Sequence, residues 1–298
     1  MAPSETLQAI VDEAVALADE RGLPVDKLSI TLMDVKNGRH AQYQENALRY
    51  PASVAKLFWL VAFFARMEEG AFAGSEAAFE AYLFDMAQKS DNGAASVILD
   101  HATDTTSGSG LGGAKFDTWF AKRRWVNEYY RKAGFKGINL LTKNYPYWQY
   151  GGPYGRDREI WSHIDPKPNR ATSQQAARLM YDIFTNRAVS PVHSAKMQEL
   201  LTVNLDPDYW KPDPANVVAG FFGEDLPYKD IYFAAKVGLT SYSRQEVAYI
   251  ATRDNRVAYV LSIFGDGHAY GGNWNIFPEL SRTIYDRMVA SPGKDPAK

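Results

Sequence analysis

The chain reads as an α/β protein, a five-stranded antiparallel sheet flanked by helices, with an all-helical lobe inserted in it. Three observations predict this. Strand-like alternation occurs only near the two ends, at residues 28–35 and 41–44 and again at 231–237, 247–252 and 257–264. The stretch between them carries helical periodicity. Helical patterns also open and close the chain, so the end strands can pair into one sheet with the central helices as an insertion.

Each element has a local reason. Leu7, Ile10, Val11, Ala14, Val15 and Ala18 recur at three- and four-residue spacing, predicting a helix over 5–21 that Gly22 stops. Residues 28–35 (LSITLMDV) alternate, Asn37-Gly38 is a hairpin turn signal, and 41–44 returns. Residues 54–67 are apolar on all sides and predict a buried helix. Residues 79–85, 94–101, 116–132, 173–185 and 194–203 suit further helices. Residues 103–113 (TDTTSGSGLGG) read as a flexible loop, and 206–214, rich in Pro and Asp, as a connection. Turns at 241–245 and Asp254-Asn255 separate the last three strands, and 278–289 returns to helix. The whole is one catalytic domain over 1–298, with an α/β lobe of about 1–52 and 215–298 and a helical lobe of about 53–214.

Composition narrows the function. Of 298 residues, 46% are hydrophobic and 23% charged, which excludes disordered and collagen-like chains. Lys+Arg is 33 against Asp+Glu 35, a net charge of −2, so no basic surface points to nucleic acid. Cysteine is absent, which removes disulfides, thiolate nucleophiles and cysteine-based zinc sites. The five histidines lack paired metal-ligand spacing, no Walker A sequence occurs, and Gly265-Asp266-Gly267 lacks a dinucleotide-binding context, so no cofactor is expected. The apolar run near 57–65 is too short to span a bilayer, and the N-terminus lacks the basic and apolar regions of a signal peptide. A monomer acting on a small molecule is expected.

Three short motifs occur in order. Ser53-Val54-Ala55-Lys56 starts the most apolar helix, where i and i+3 share a face. The Lys56 amine then reaches the Ser53 hydroxyl, and a desolvated lysine with a lowered pKa accepts its proton, directly or through water. Alone, the motif is frequent and reads as an N-cap serine and a snorkelling lysine. Ser90-Asp91-Asn92 precedes a helical run and alone reads as a cap. Lys236-Val237-Gly238 puts a charge on an inner strand beside a glycine, where backbone lies open to a ligand. Alone, it reads as an edge-strand lysine that guards against aggregation.

Together, S-x-x-K, S-D-N and K-x-G in this order resemble the class A β-lactamase family within the penicillin-recognising serine acyltransferases, of which the chain looks like a divergent member. The segments Tyr50 to Leu57, Lys89 to Ala95 and Arg170 to Leu179, with the last two strands, extend the resemblance over nearly the whole chain. It implies a β-lactamase/D,D-peptidase-like fold. It assigns Ser53 as the acylated nucleophile, Lys56 as its base and Ser90 as the proton donor to the leaving nitrogen. Asn92 would hold Lys56 and the substrate amide. Lys236 and Arg244, with Gly238 beside them, would receive the substrate carboxylate, and the backbone N–H groups of Ser53 and Leu239 would form the oxyanion hole. The substrate would be a β-lactam or a peptidoglycan-like amide, and the location periplasmic or secreted. A D,D-peptidase or esterase, and a non-catalytic penicillin-binding or scaffold protein, are the alternatives.

Three departures accompany the resemblance. Val237 replaces a hydroxyl residue, with Thr240 or Ser241 as substitutes. The spacing is rearranged: about 37 residues from Ser53 to Ser90, shorter than in typical members, and about 82 from Ser90 to Thr172, longer, so the segment 103–170 is expanded, and Ser243-Arg244 stands about one residue closer to the strand motif than in many members. The glutamate that activates the deacylating water is not found where expected. Residues 140–148 (LLTKNYPYW) carry no carboxylate, so Glu159 is the first candidate, beside Asp157 and Asp165.

Overall fold

The computed structural model describes residues 1–71, 76–165 and 168–290. Its elements are β1 (Ala2–Pro3), α1 (Glu5–Glu20), β2 (Leu28–Asp34), β3 (Arg39–Tyr43), α2 (Ala55–Glu68), α3 (Glu80–Gln88), α4 (Asn92–Thr103), α5 (Gly113–Arg123) and α6 (Trp125–Lys132). There follow α7 (Gly155–Glu159), α8 (Ser173–Phe184), α9 (Pro191–Leu201), α10 (Pro207–Trp210), β4 (Ile231–Thr240), β5 (Ser243–Thr252), β6 (Ala258–Asp266), α11 (His268–Gly271) and α12 (Ile276–Ala290). No helix among the described residues is long and apolar enough to cross a membrane.

The strands form one sheet in the order β1-β3-β2-β6-β5-β4. It has six strands where five are predicted. The extra one is two residues long, too short to show alternation, and pairs parallel to β3; every other pairing is antiparallel. The N-terminal hairpin joins the C-terminal meander through β2 and β6, with Ile30 opposite Ile263.

Helices cover both faces of the sheet. On one, α1 and α12 pack through Leu7, Ile10, Val11, Ile284 and Met288 onto Leu32, Ala248 and Leu261. Ser4 caps α1 by accepting from the Leu7 N–H, and Gly22, at φ +72°, takes the left-handed conformation that ends it. On the other face lies the larger core, built on α2, whose residues 55–65 are all buried. The predicted helix over 116–132 is two helices meeting at Arg124. β5 starts at Ser243, four residues before the predicted strand, because its first half is polar yet buried. Gln245 Nε2 donates to Tyr50 O (2.8 Å) and Asp266 Oδ1 (3.0 Å), and Glu246 Oε2 accepts from the Phe222 N–H (2.7 Å).

A long excursion of the chain leaves at Asn139 and returns at Arg170, where backbone pairing of the two, 2.9 and 2.7 Å, closes its neck. A buried ion network holds it to the helices. The fully buried Arg123 guanidinium bonds Asp100 (2.5 Å), Asp157 (3.3 Å), Thr105 Oγ1 and Leu141 O, and Lys143 shares Asp100 and Ser107. Removing one member of such a network strands a buried opposite charge. Arg123→Ala is therefore expected to destabilise the protein by about 3–5 kcal/mol in urea unfolding. A loss below about 1 kcal/mol, the size of an exposed pair, would mean the network is not what holds the loop.

Candidate active site

Ser53 lies in a single 3-10 turn, Ala52–Val54, that runs into α2. The turn is clamped from two sides. Gln245 of β5 holds Tyr50 O, and Asn144 of the long loop donates through Nδ2 to Ala52 O (3.2 Å). One turn along, Lys56 is 1% exposed, with Nζ 2.9 Å from Ser53 Oγ, 3.3 Å from Ser90 Oγ and 2.7 Å from Asn92 Oδ1; Ser90 O also accepts from it. Lys236 reaches across from β4 and places Nζ 3.0 Å from the same Ser90 Oγ. The sheet, α2 and the start of α4 thus bring Ser53, Lys56, Ser90, Asn92 and Lys236 into one hydrogen-bonded cluster.

Backbone strain concentrates here. Ala52, Ser90 and Trp148, three of the eight non-glycine residues at positive φ among the described residues, surround the cluster. Such conformations cost about 1–3 kcal/mol each and persist where the surroundings over-determine them. At Ser90 the conformation turns both the carbonyl and the hydroxyl toward Lys56.

Two amines around one hydroxyl in a dry site set the electrostatics. Burial, then the neighbouring Lys236 charge, hold the Lys56 amine well below the usual lysine range. Burial brings Lys236 down to about 7, opposed by the Glu246 carboxylate on the far side of the sheet.

Gly238 is required by packing. A Cβ there would lie 2.7 Å from Pro51 O and 2.9 Å from Ser53 N, both backbone atoms, so β4 runs directly against the Ser53 amide. Gly238→Ala must push strand and turn apart. We expect it to slow acylation by about 100-fold, the effect of a misplacement near 1 Å, with a far smaller change in the urea midpoint. Acylation at the native rate would show that the turn yields at no cost to the geometry.

Two expected site residues are not brought to the cluster. Arg244 pairs with Leu239, whereas Lys236 pairs with Val247, three positions further along β5. Side chains alternate, so an odd offset puts Arg244 on the opposite face of the sheet. There it is fully buried, donates to Gly220 O (2.7 Å), Tyr270 O and Gly271 O, and lies between the Phe221 and Trp274 rings. Its guanidinium is spent on these backbone carbonyls, on the face of the sheet away from Lys236. Val237 faces the same side and belongs to that core, while Thr240 Oγ1 is bonded to Ser243 Oγ and the Tyr242 N–H. Glu159 accepts from the Leu111 and Gly112 N–H groups at 3.3 and 3.4 Å, bracing the 104–112 loop. Asp157 is held by Arg123 and Ser107. Leu239, after Gly238, is partly exposed at the end of β4.

The sequence reading missed the loop residues that line the site. Besides Asn144, Pro146 O accepts from Asn92 Nδ2 (2.9 Å), and the Trp148 ring rests on Gly93. The signal available was compositional: Tyr145, Tyr147, Trp148, Tyr150 and Tyr154 fall within ten residues.

One sheet with helices on both faces and this arrangement of elements is the class A β-lactamase fold. The family model described as the beta-lactamase enzyme family matches residues 73–288, and the chain belongs to that family. The match contains Ser90, Asn92 and Lys236 and begins after Ser53 and Lys56. Among solved structures, a beta-lactamase from Sphaerobacter thermophilus DSM 20745 is similar at 17% identity, covering 95% of this chain and 98% of that one, with a TM-score of 0.64. A class A beta-lactamase from Bacteroides cellulosilyticus DSM 14838 is 14% identical over 96% and 99%, with a TM-score of 0.65. PBP-A is 16% identical over 97% and 98%, with a TM-score of 0.65. At these identities the likeness is one of fold. No curated protein matches the sequence.

Proposed function

We propose that the protein is a serine acyltransferase that opens β-lactam-like amides by acylating Ser53, and that it releases the acyl group slowly. The observation that carries this reading is the buried Lys56 amine, 2.9 Å from Ser53 Oγ and within reach of Ser90. An amine whose pKa burial lowers is readied to accept the Ser53 proton as Oγ attacks the carbonyl carbon. When the carbon–nitrogen bond breaks, the proton passes through Ser90 to the leaving nitrogen. Lys236 holds Ser90 and attracts a substrate anion, and Asn92 retains an amide N–H for the acyl side. The Ser53 and Leu239 N–H groups stand ready for the oxyanion, an arrangement worth about 3–4 kcal/mol per donor. By analogy with the family, the location is outside the cytoplasm.

The test pairs a fluorescent penicillin labelling gel with a chromogenic cephalosporin assay. Labelling with little turnover is expected. Rapid turnover would identify an efficient β-lactamase. Absence of both would remove β-lactams as substrates and favour a binding protein of the same fold.

The two amines also set a pH dependence. Raising the pH deprotonates Lys56 and speeds acylation; raising it past about 7 discharges Lys236 and weakens its hold on an anionic substrate. Burst rates with benzylpenicillin should therefore fall on the alkaline side of about pH 7. In Lys236→Arg that limb should move beyond pH 10, because guanidinium keeps its proton. A native profile still rising at pH 9 would contradict this assignment of Lys236.

A further inference from the structure

We infer that Trp148 is a stacking platform that selects acyl donors carrying a flat apolar ring on the acyl side of the scissile bond. This rests on the acylation reading above and adds the substrate class to it.

Trp148 is 65% exposed and sits at φ +44°, a conformation that L side chains rarely adopt. Burial therefore does not explain its placement. The ring is nevertheless fixed. A Cβ on Gly93 would lie 2.4 Å from Trp148 Nε1, 2.9 Å from Cε2 and 3.0 Å from Cδ1, so the pyrrole edge is pressed onto the first turn of α4 and only glycine admits it. Most of the residue's surface stays open to solvent. Tyr147, itself buried, supports the ring edge-on at 5.6 Å and 74°.

The location ties the ring to the reaction. Gly93 follows Asn92, whose Oδ1 touches Lys56 and whose Nδ2 donates to Pro146 O, two residues before Trp148. A substrate amide held by Asn92 carries its acyl substituent toward the exposed indole. The loop from 145 to 155 contains no charged side chain, and Tyr150 and Tyr154 stack on each other at 5.5 Å. Such a surface offers π faces and no charge, so it rewards a flat apolar group over a charged one.

Two measurements test this. In Ser53→Ala protein, which cannot be acylated, the Trp148 indole N–H resonance (assigned by its loss in Trp148→Phe) should shift and saturate with phenylacetylglycine but not with acetylglycine. No shift, or a shift with N,N′-diacetylchitobiose alone, would overturn the proposal. In protein with Ser53 intact, Trp148→Ala should slow acylation by benzylpenicillin roughly five- to tenfold relative to 6-aminopenicillanic acid, and Trp148→Phe should restore most of it. An equal fall for both compounds would make Trp148 a loop support and overturn the proposal. A saturating resonance shift without acylation by any β-lactam would sustain the platform and reject the β-lactam reading instead.

Discussion

Native protein exposed to benzylpenicillin should gain one covalent adduct by intact-mass spectrometry, and Ser53→Ala should gain none. The loss is complete because the variant removes the atom that forms the bond. Lys56→Ala should keep the nucleophile yet slow adduct formation by about 10²–10⁴, the usual contribution of a positioned base. Lys56 is the group placed to accept the Ser53 proton: Nζ lies 2.9 Å from Oγ, and burial, then the Lys236 charge, lower the amine's pKa. Ser90 and Lys236 stand one hydrogen bond further out. An adduct that survives in Ser53→Ala would place the nucleophile elsewhere. An undiminished rate in Lys56→Ala would take the lysine out of the mechanism.

The second large effect concerns release of the acyl group. Native protein should consume about one equivalent of a chromogenic cephalosporin in a burst and then turn over slower by about 10²–10⁴. Hydrolysis of an ester on Ser53 needs a base that activates water. Among the described residues, the hydrogen-bond partners of Ser53, Lys56, Ser90, Asn92 and Lys236 include no carboxylate. Two of the three loop acids are engaged elsewhere, Asp157 by Arg123 and Glu159 by the 111–112 amides, and Asp165 lines a cavity of about 530 Å³ with Arg124, Arg131 and Asn127. What the loop brings to the Ser53 turn is Asn144, and an amide accepts no proton at neutral pH. Glu159→Gln should accordingly leave both burst and steady state unchanged. Linear, fast turnover from the first time point would refute slow release. Loss of the steady state in Glu159→Gln would return the carboxylate to the mechanism.

What the sequence revealed of this site follows its physical spacing. Ser53 and Lys56 are legible because i and i+3 on a helix must meet. Ser90, Asn92 and Lys236 become legible only as a set, since each alone fits a cap or a strand lysine. Arg244 was misplaced by the finest of margins. A shift of one residue between β4 and β5 exchanges the two faces of the sheet, and the shortened spacing already carried that information. The start of β5 was hidden because Ser243 to Glu246 look like a turn by composition and are buried only through partners remote in sequence. The 139–170 loop was invisible for the same reason. Its closure depends on Arg123 and Asp100, which no local pattern connects to Asp157.

The junction of β2 with β6 has a consequence for how the chain reaches this structure. Ile30 and Ile263 are partners separated by ~230 residues, so the middle of the sheet is completed only when the last strand arrives. Loop closure of that length must precede the contacts that reward it, which places folding in the slow, non-local regime. Until then the N-terminal hairpin offers β2, buried along its whole length in the finished protein, as an open apolar edge. Nascent or truncated chains lacking residues 258–266 should therefore self-associate during refolding. Charged substitutions on β2 that spare the native pairing would be needed to keep them dispersed.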